Sequence, residues 1–154
     1  MKRILTCIAL ILMMSQINAQ SDYERAIGIR AGFDNGITYK QFITSVSAIE
    51  ALAFFGNNSF NLTGLYELNN ENAFQVDRLD WYYGGGGHIG FYTVDGEDGD
   101  SGSLLLGVDG IIGIEYNFEQ APINVSLDWK PQINLIGGSG FVGDTGALSL
   151  RYIF

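Results

Sequence analysis

The chain ends on Gly146-Ala147-Leu148-Ser149-Leu150-Arg151-Tyr152-Ile153-Phe154, and this stretch decides the fold. Leu148, Leu150, Tyr152 and Phe154 are aliphatic or aromatic at every second position, with Ser149 and Arg151 set between them. Successive side chains of a strand point to opposite faces, so a period of two marks a strand with one apolar and one polar face. Working back along the chain, the same period appears in Ile123, Val125, Leu127, Trp129, and in Leu106, Val108, Gly110, Ile112, Ile114, Tyr116, Phe118. It returns in Trp81, Tyr83, Gly85, Gly87, Ile89, Phe91, in Phe60, Leu62, Gly64, Tyr66, Leu68, and in Ile49, Ala51, Ala53, Phe55. Ile37, Tyr39, Ile43 and Ile27, Ile29, Ala31, Phe33 complete eight segments. Asp34-Asn35-Gly36, Gly56-Asn57-Asn58, Glu119-Gln120-Ala121-Pro122 and Gly137-Gly138-Ser139-Gly140 supply turn chemistry between them. The second segment is the least regular, because Gln41 and Phe42 interrupt its alternation, and a bulge is expected there.

Composition agrees with such a chain and removes several alternatives. At 154 residues one domain is the natural expectation. With 47% apolar residues the chain buries enough surface to fold, and its single Cys excludes a disulfide scaffold. Only 16% of residues are charged, against about 25% in ordinary soluble domains. The net charge of -9 argues against a nucleic-acid partner, which needs clustered Lys and Arg.

Lys2 and Arg3 precede an apolar run over residues 4–14, followed by polar residues and Ala19. That order reads as a signal peptide over residues 1–19, removed on export, which leaves residues 20–154 as a single β-barrel domain. The run is too short to span a bilayer as a helix. Cys7 lies inside the apolar run, where a lipid-modified Cys is not expected.

Eight strands of this length fit a small membrane barrel, and they fit equally a soluble periplasmic lipocalin-like barrel that binds a lipid or another apolar ligand. Alternation alone does not say which face meets water. The polar parity carries Arg30, Lys40, Glu50, Glu67, His88, Asp109, Glu115, Asp128, Lys130 and Arg151, close to charge balance within an acidic chain. Buried charges must be paired, so near-balance suits an enclosed lumen lined by a charge network. The other charges, Asp80 among them, fall at termini, turns and strand ends. Trp81, Tyr83, Phe91, Tyr116, Phe118, Trp129, Tyr152 and Phe154 sit toward the ends of the apolar faces, where headgroup-level aromatic girdles belong.

The terminal motif, residues 146–154, together with Ser126-Leu127-Asp128-Trp129-Lys130-Pro131, resembles the small outer-membrane β-barrel proteins of Gram-negative bacteria, the eight-stranded OmpA/OmpX-like group. The resemblance implies an all-β, eight-stranded antiparallel up-and-down transmembrane β-barrel in the outer membrane. It also implies a non-enzymatic structural or surface-interaction role in the envelope. Its partners would be outer-membrane lipid and lipopolysaccharide, with the barrel-assembly machinery reading Leu148, Leu150, Tyr152 and Phe154 during insertion. The outer connections are short, which departs from relatives whose long loops act as adhesins. Eight strands close around an interior that side chains fill, so no open pore is expected.

Little else in the chain carries chemistry. Asp95, Glu97, Asp98 and Asp100 crowd into one connection, where Ca²⁺ or Mg²⁺ binding is the sharper expectation and a solvated acidic loop the plainer one. Gly99-Asp100-Ser101-Gly102 matches part of a serine-protease signature, but a triad needs a base beside the nucleophile, and His88 is the only His. Some small outer-membrane barrels modify lipid A acyl chains with an outward His and Ser. His88 instead lies on the lumen parity with Gly86 and Gly90. No cofactor motif is present: the glycines at 84–87 lack the helix that a phosphate-binding loop requires. On this reading Leu127→Arg disturbs the apolar band, while Asn124→Arg on the lumen parity is expected to be harmless.

Overall fold

The computed structural model describes residues 23–33, 35–56, 58–71, 75–94, 101–138 and 140–154. The expected signal peptide, residues 1–19, and the acids Asp95, Glu97, Asp98 and Asp100 lie outside these described residues. Ten strands follow one another: β1 (Arg25–Gly32), β2 (Gly36–Phe42), β3 (Ser47–Phe55), β4 (Ser59–Asn70), β5 (Leu79–Val94), β6 (Ser101–Asn117), β7 (Ile123–Trp129), β8 (Gln132–Ile136), β9 (Phe141–Val142) and β10 (Gly146–Ile153). Each pairs antiparallel with its neighbours, and the β1–β10 ladder closes the sheet on itself.

Ten segments make eight staves because two staves are interrupted. Strands β7 and β8 pair with β6 in one unbroken register, from Asn117↔Asn124 through Ile112↔Trp129 to Gly107↔Asn134. Pro131 has no N–H to offer the ladder, so the strand assignment breaks there while the stave continues. The Pro131 carbonyl still accepts from the Gly110 N–H at 2.8 Å. On the other side, Trp129 pairs with Gly146 and Gln132 with Val142. Two residues of the seventh stave therefore face three of the eighth, which is a bulge.

The antiparallel pairing also slides along the strands. Stepping across the ladder from Ile27 leads through Tyr39, Ala51, Gly64, Gly87, Val108 and Ile133 to Phe141, beyond the pairing of Gly32 with Ala147 that ends the β1–β10 ladder. A tilt of this kind is what closing eight strands demands.

The faces are those of a protein turned inside out. Ile29 is 63% exposed and Leu127 56%, whereas Lys40 and Glu50 are fully buried. Every strand sends the parity read as apolar outward. The expected bulge at Gln41 and Phe42 is corrected: β1, β2 and β3 keep one register through Phe42. The alternation breaks because Phe42 points inward, as part of an apolar plug, and Ile43 lies past the strand's end.

Strands β5 and β6 are longer than expected and narrow the anticipated 93–103 loop to residues 95–100. Glycines let backbones approach inside the tight cylinder. A Cβ on Gly86 would lie 1.8 Å from the Gly64 carbonyl oxygen, and one on Gly113 would lie 2.7 Å from the Tyr82 ring.

Candidate functional site

Placing charge inside a barrel costs desolvation, so the interior must satisfy what it encloses. All ten charge-bearing residues read onto the lumen parity, Arg30, Lys40, Glu50, Glu67, His88, Asp109, Glu115, Asp128, Lys130 and Arg151, are buried there. They divide into connected groups.

Arg151 of β10 crosses the lumen and ties several staves together. Its guanidinium pairs with Glu50 of β3, and its Nε donates to Thr38 Oγ1 of β2 at 3.1 Å. Its Nη1 donates to Asn124 Oδ1 at 2.9 Å and to Ser126 Oγ at 2.7 Å, both on β7. Beside it, Lys40 Nζ lies 3.0 Å from Glu67 Oε2 and 3.0 Å from Glu115 Oε2, and donates to Asn69 Oδ1 at 2.9 Å. The same ammonium stands 4.3 Å from the centroid of the Tyr82 ring, a cation-π position.

At the end that carries the termini, Tyr23, Ala26, Phe42 and Ala48 form an apolar plug, and the Tyr23 and Phe42 rings meet edge to face at 5.0 Å. The Tyr23 phenol, which precedes β1, donates to the Glu115 carboxylate at 3.2 Å. Burial first, and then the Glu115 charge, push its pKa well above the ordinary value, so it stays a donor.

A second group centres on Arg30 and Asp128, whose side chains make a two-pronged pair. Tyr82 Oη also donates to Asp128, at 3.2 Å. A third lies toward the opposite end. There Asp109 accepts from Lys130 Nζ at 2.9 Å and holds His88 Nδ1 at 2.8 Å, while His88 Nε2 stands 3.0 Å from Asn134 Oδ1.

The interior is not polar throughout. Leu52, Phe54, Leu65, Tyr82 and Ile111 form a buried apolar cluster within it. The sequence hid them in runs such as Leu52-Ala53-Phe54-Phe55 and Ile111-Ile112, where both parities are apolar and a period of two carries no sign. Asp80, read as a strand-end charge, does lie at a strand end, as the second residue of β5, but it is also buried and paired across the ladder with Glu115. Its shared parity with Tyr82, Gly84 and His88 was the signal. Asn69, Asn117, Asn124, Thr38, Ser126 and Ser149 are further buried partners that reading for charge alone passed over.

Leu148, Leu150, Tyr152 and Phe154 share one outward face along the eighth stave, and the Tyr152 and Phe154 rings stack at 6.5 Å. The proposed cation ligands Asp95, Glu97, Asp98 and Asp100 lie outside the described residues, and no metal-binding cluster occurs among the described ones. Both His88 nitrogens are taken by Asp109 and Asn134.

A closed antiparallel barrel of eight staves has a solved counterpart in the N-terminal β-barrel domain of Pseudomonas aeruginosa OprF. This chain shares that fold. The superposition has a TM-score of 0.66 and covers 87% of this chain and 98% of the OprF domain, at 12% sequence identity. No protein-family profile matches the chain, and no curated protein does. At such low identity the likeness concerns the path of the backbone alone.

Proposed function

We propose that this protein is a non-enzymatic outer-membrane β-barrel of a Gram-negative envelope, held by lipid around its waist and closed within by its own side chains. The observation that carries this reading is the inverted distribution of polarity. The outward face exposes Ile29, Val108, Ile112, Leu127 and Leu150, while the charges of Lys40, Glu50, Glu67, Glu115 and Arg151 are paired inside. In water such a surface would aggregate; in hydrocarbon it is the only sheet that survives, because a closed ladder leaves no backbone group unpaired. A soluble lipid carrier needs the reverse, a wet outside and an apolar cavity.

The outward aromatics Trp81, Tyr83, Tyr116, Phe118, Tyr152 and Phe154 would form an interfacial girdle on the side of the termini. The barrel would meet lipid and lipopolysaccharide directly, and Leu148, Leu150, Tyr152 and Phe154 would serve the assembly machinery. Fractionation tests the whole reading: the protein should stay with outer membranes until detergent is added, and its unheated form should migrate differently from the boiled form. Recovery in the soluble periplasmic fraction would overturn it.

The same interior supports the non-enzymatic part of this reading. His88 is sealed between Asp109 and Asn134, within the wall of the lumen rather than on a lipid-facing surface. Replacing His88 by Ala should leave the lipid A acylation pattern unchanged in mass spectra of extracted lipid A. A lost or altered acyl species would assign catalysis to this His.

A further inference from the structure

Two lumen carboxyl groups keep oxygens that no donor among the described residues satisfies. Thr38 and Arg151 both donate to Glu50 Oε1, while Glu50 Oε2 and both Glu67 oxygens receive no hydrogen bond, although both side chains are fully buried. Lys40 spends its hydrogen bonds on Asn69 and Glu115, and it stands 3.0 Å from Glu67 Oε2 outside hydrogen-bond alignment. A buried acceptor without a donor is costly, and native interiors keep few of them. Glu50 pairs with Leu65 and Glu67 with Ala48, so the two acids are diagonal neighbours on the inner faces of β3 and β4. Their carboxyl groups lie within hydrogen-bonding reach of each other. We propose that the folded barrel holds one proton between Glu50 and Glu67 at neutral pH, a carboxylic acid donating to a carboxylate, and that losing it at alkaline pH loosens the lumen network.

The surrounding charges call for that proton. Lys40 of β2 and Arg151 of β10 face Glu50, Glu67 and, from β6, Glu115, which sets two cations against three acids. Arg30 of β1 is committed to Asp128 of β7, and Lys130 to Asp109, which also holds His88, so none of these makes up the difference. Asp80 of β5, opposite Glu115 in the ladder, adds to the acid excess. The phenols of Tyr23 and Tyr82 donate to Glu115 and Asp128 and bring no positive charge. One proton on the Glu50–Glu67 pair balances Lys40 and Arg151 against their three acids, relieves the repulsion of two adjacent carboxylates, and supplies a donor to an oxygen that lacks one. In the unfolded chain both glutamates are ionised at neutral pH, so folding takes up a proton. The folded state then binds more protons than the unfolded one, and the stability gained is fully present at acid pH and is lost as pH rises.

The test joins infrared spectroscopy to urea titration. In heavy water and dodecyl maltoside micelles, a detergent with no carbonyl group, the folded wild type should show the C=O band of a carboxylic acid at neutral pH. Glu67→Gln should remove that band and still fold, because Gln offers Glu50 a donor without a proton that titrates; unheated gel mobility checks the fold. Urea titrations in lipid vesicles from about pH 6 to about pH 9 should show the wild-type unfolding constant rising with pH by up to about tenfold per unit more steeply than that of Glu67→Gln. The pair lies inside the lumen, so its failure would leave the lipid-facing wall untouched, and fractionation tests that wall separately. A wild type without the acid band at neutral pH, a band that survives Glu67→Gln, or parallel pH profiles for the two proteins would overturn the proposal.

Discussion

Arg151→Met should leave the folded barrel about 3 to 5 kcal/mol less stable, because it breaks a buried pair and strands its partner. Arg151 is 1% exposed and joins Glu50, Thr38, Asn124 and Ser126 across the lumen. Met fills comparable space, so the loss is electrostatic rather than a cavity. The Glu50 carboxylate would keep Thr38 as a donor but lose the guanidinium that neutralises it within the lumen. Adding Glu50→Gln to Arg151→Met removes the stranded charge and should recover part of the loss, since replacing both members of a buried pair is far less costly than removing one. Urea titrations in lipid vesicles, read by unheated gel mobility, measure both. A single variant as stable as the wild type would mean that water fills the lumen and the network holds nothing together.

Leu127→Arg carries the second large effect. Leu127 is 56% exposed on β7, beside the outward Leu148 of β10 and the outward Ile114 of β6. A guanidinium there meets hydrocarbon in the inserted protein, at a cost of about 2 to 4 kcal/mol near mid-depth. Refolding yield into vesicles should fall accordingly, while Gln120→Arg in the exposed 118–122 turn should change stability by less than about 0.5 kcal/mol. Asn124→Arg, which parity alone marks as harmless, is not a suitable control. Asn124 is fully buried, donates to Asn117 Oδ1 at 2.7 Å and accepts from Arg151, so a second guanidinium would face the first. Equal yields for Leu127→Arg and Gln120→Arg would contradict a lipid-facing band.

These two variants mark what a period of two makes legible and what it does not. Alternation located Leu127 and Arg151 on opposite faces and placed the ten lumen charges, because polarity differs between adjacent residues in those strands. Where neighbours are alike, as at Leu52 to Phe55 and Ile111 to Ile112, only the closed barrel shows that Leu52, Phe54 and Ile111 turn inward. Phe42 looked like a disturbance of β2 and is a plug residue seated on Tyr23, a contact between segments that no local pattern encodes. Pro131 does signal a break within the seventh stave, but the unbroken β6 register across it depends on pairing partners distant in sequence. The identity of each ion pair was equally out of reach: Arg30 with Asp128 and Arg151 with Glu50 are joined across the closed lumen.

The most direct measurement uses the two native tryptophans, Trp81 and Trp129, which both stand on the outward face at 38% and 46% exposure. In vesicles whose lipids carry bromine on the acyl chains, their fluorescence should be strongly quenched, while an aqueous quencher such as iodide should have little effect. Strong quenching by iodide with none from brominated chains would place that face in water and contradict a barrel that wears its apolar side toward lipid.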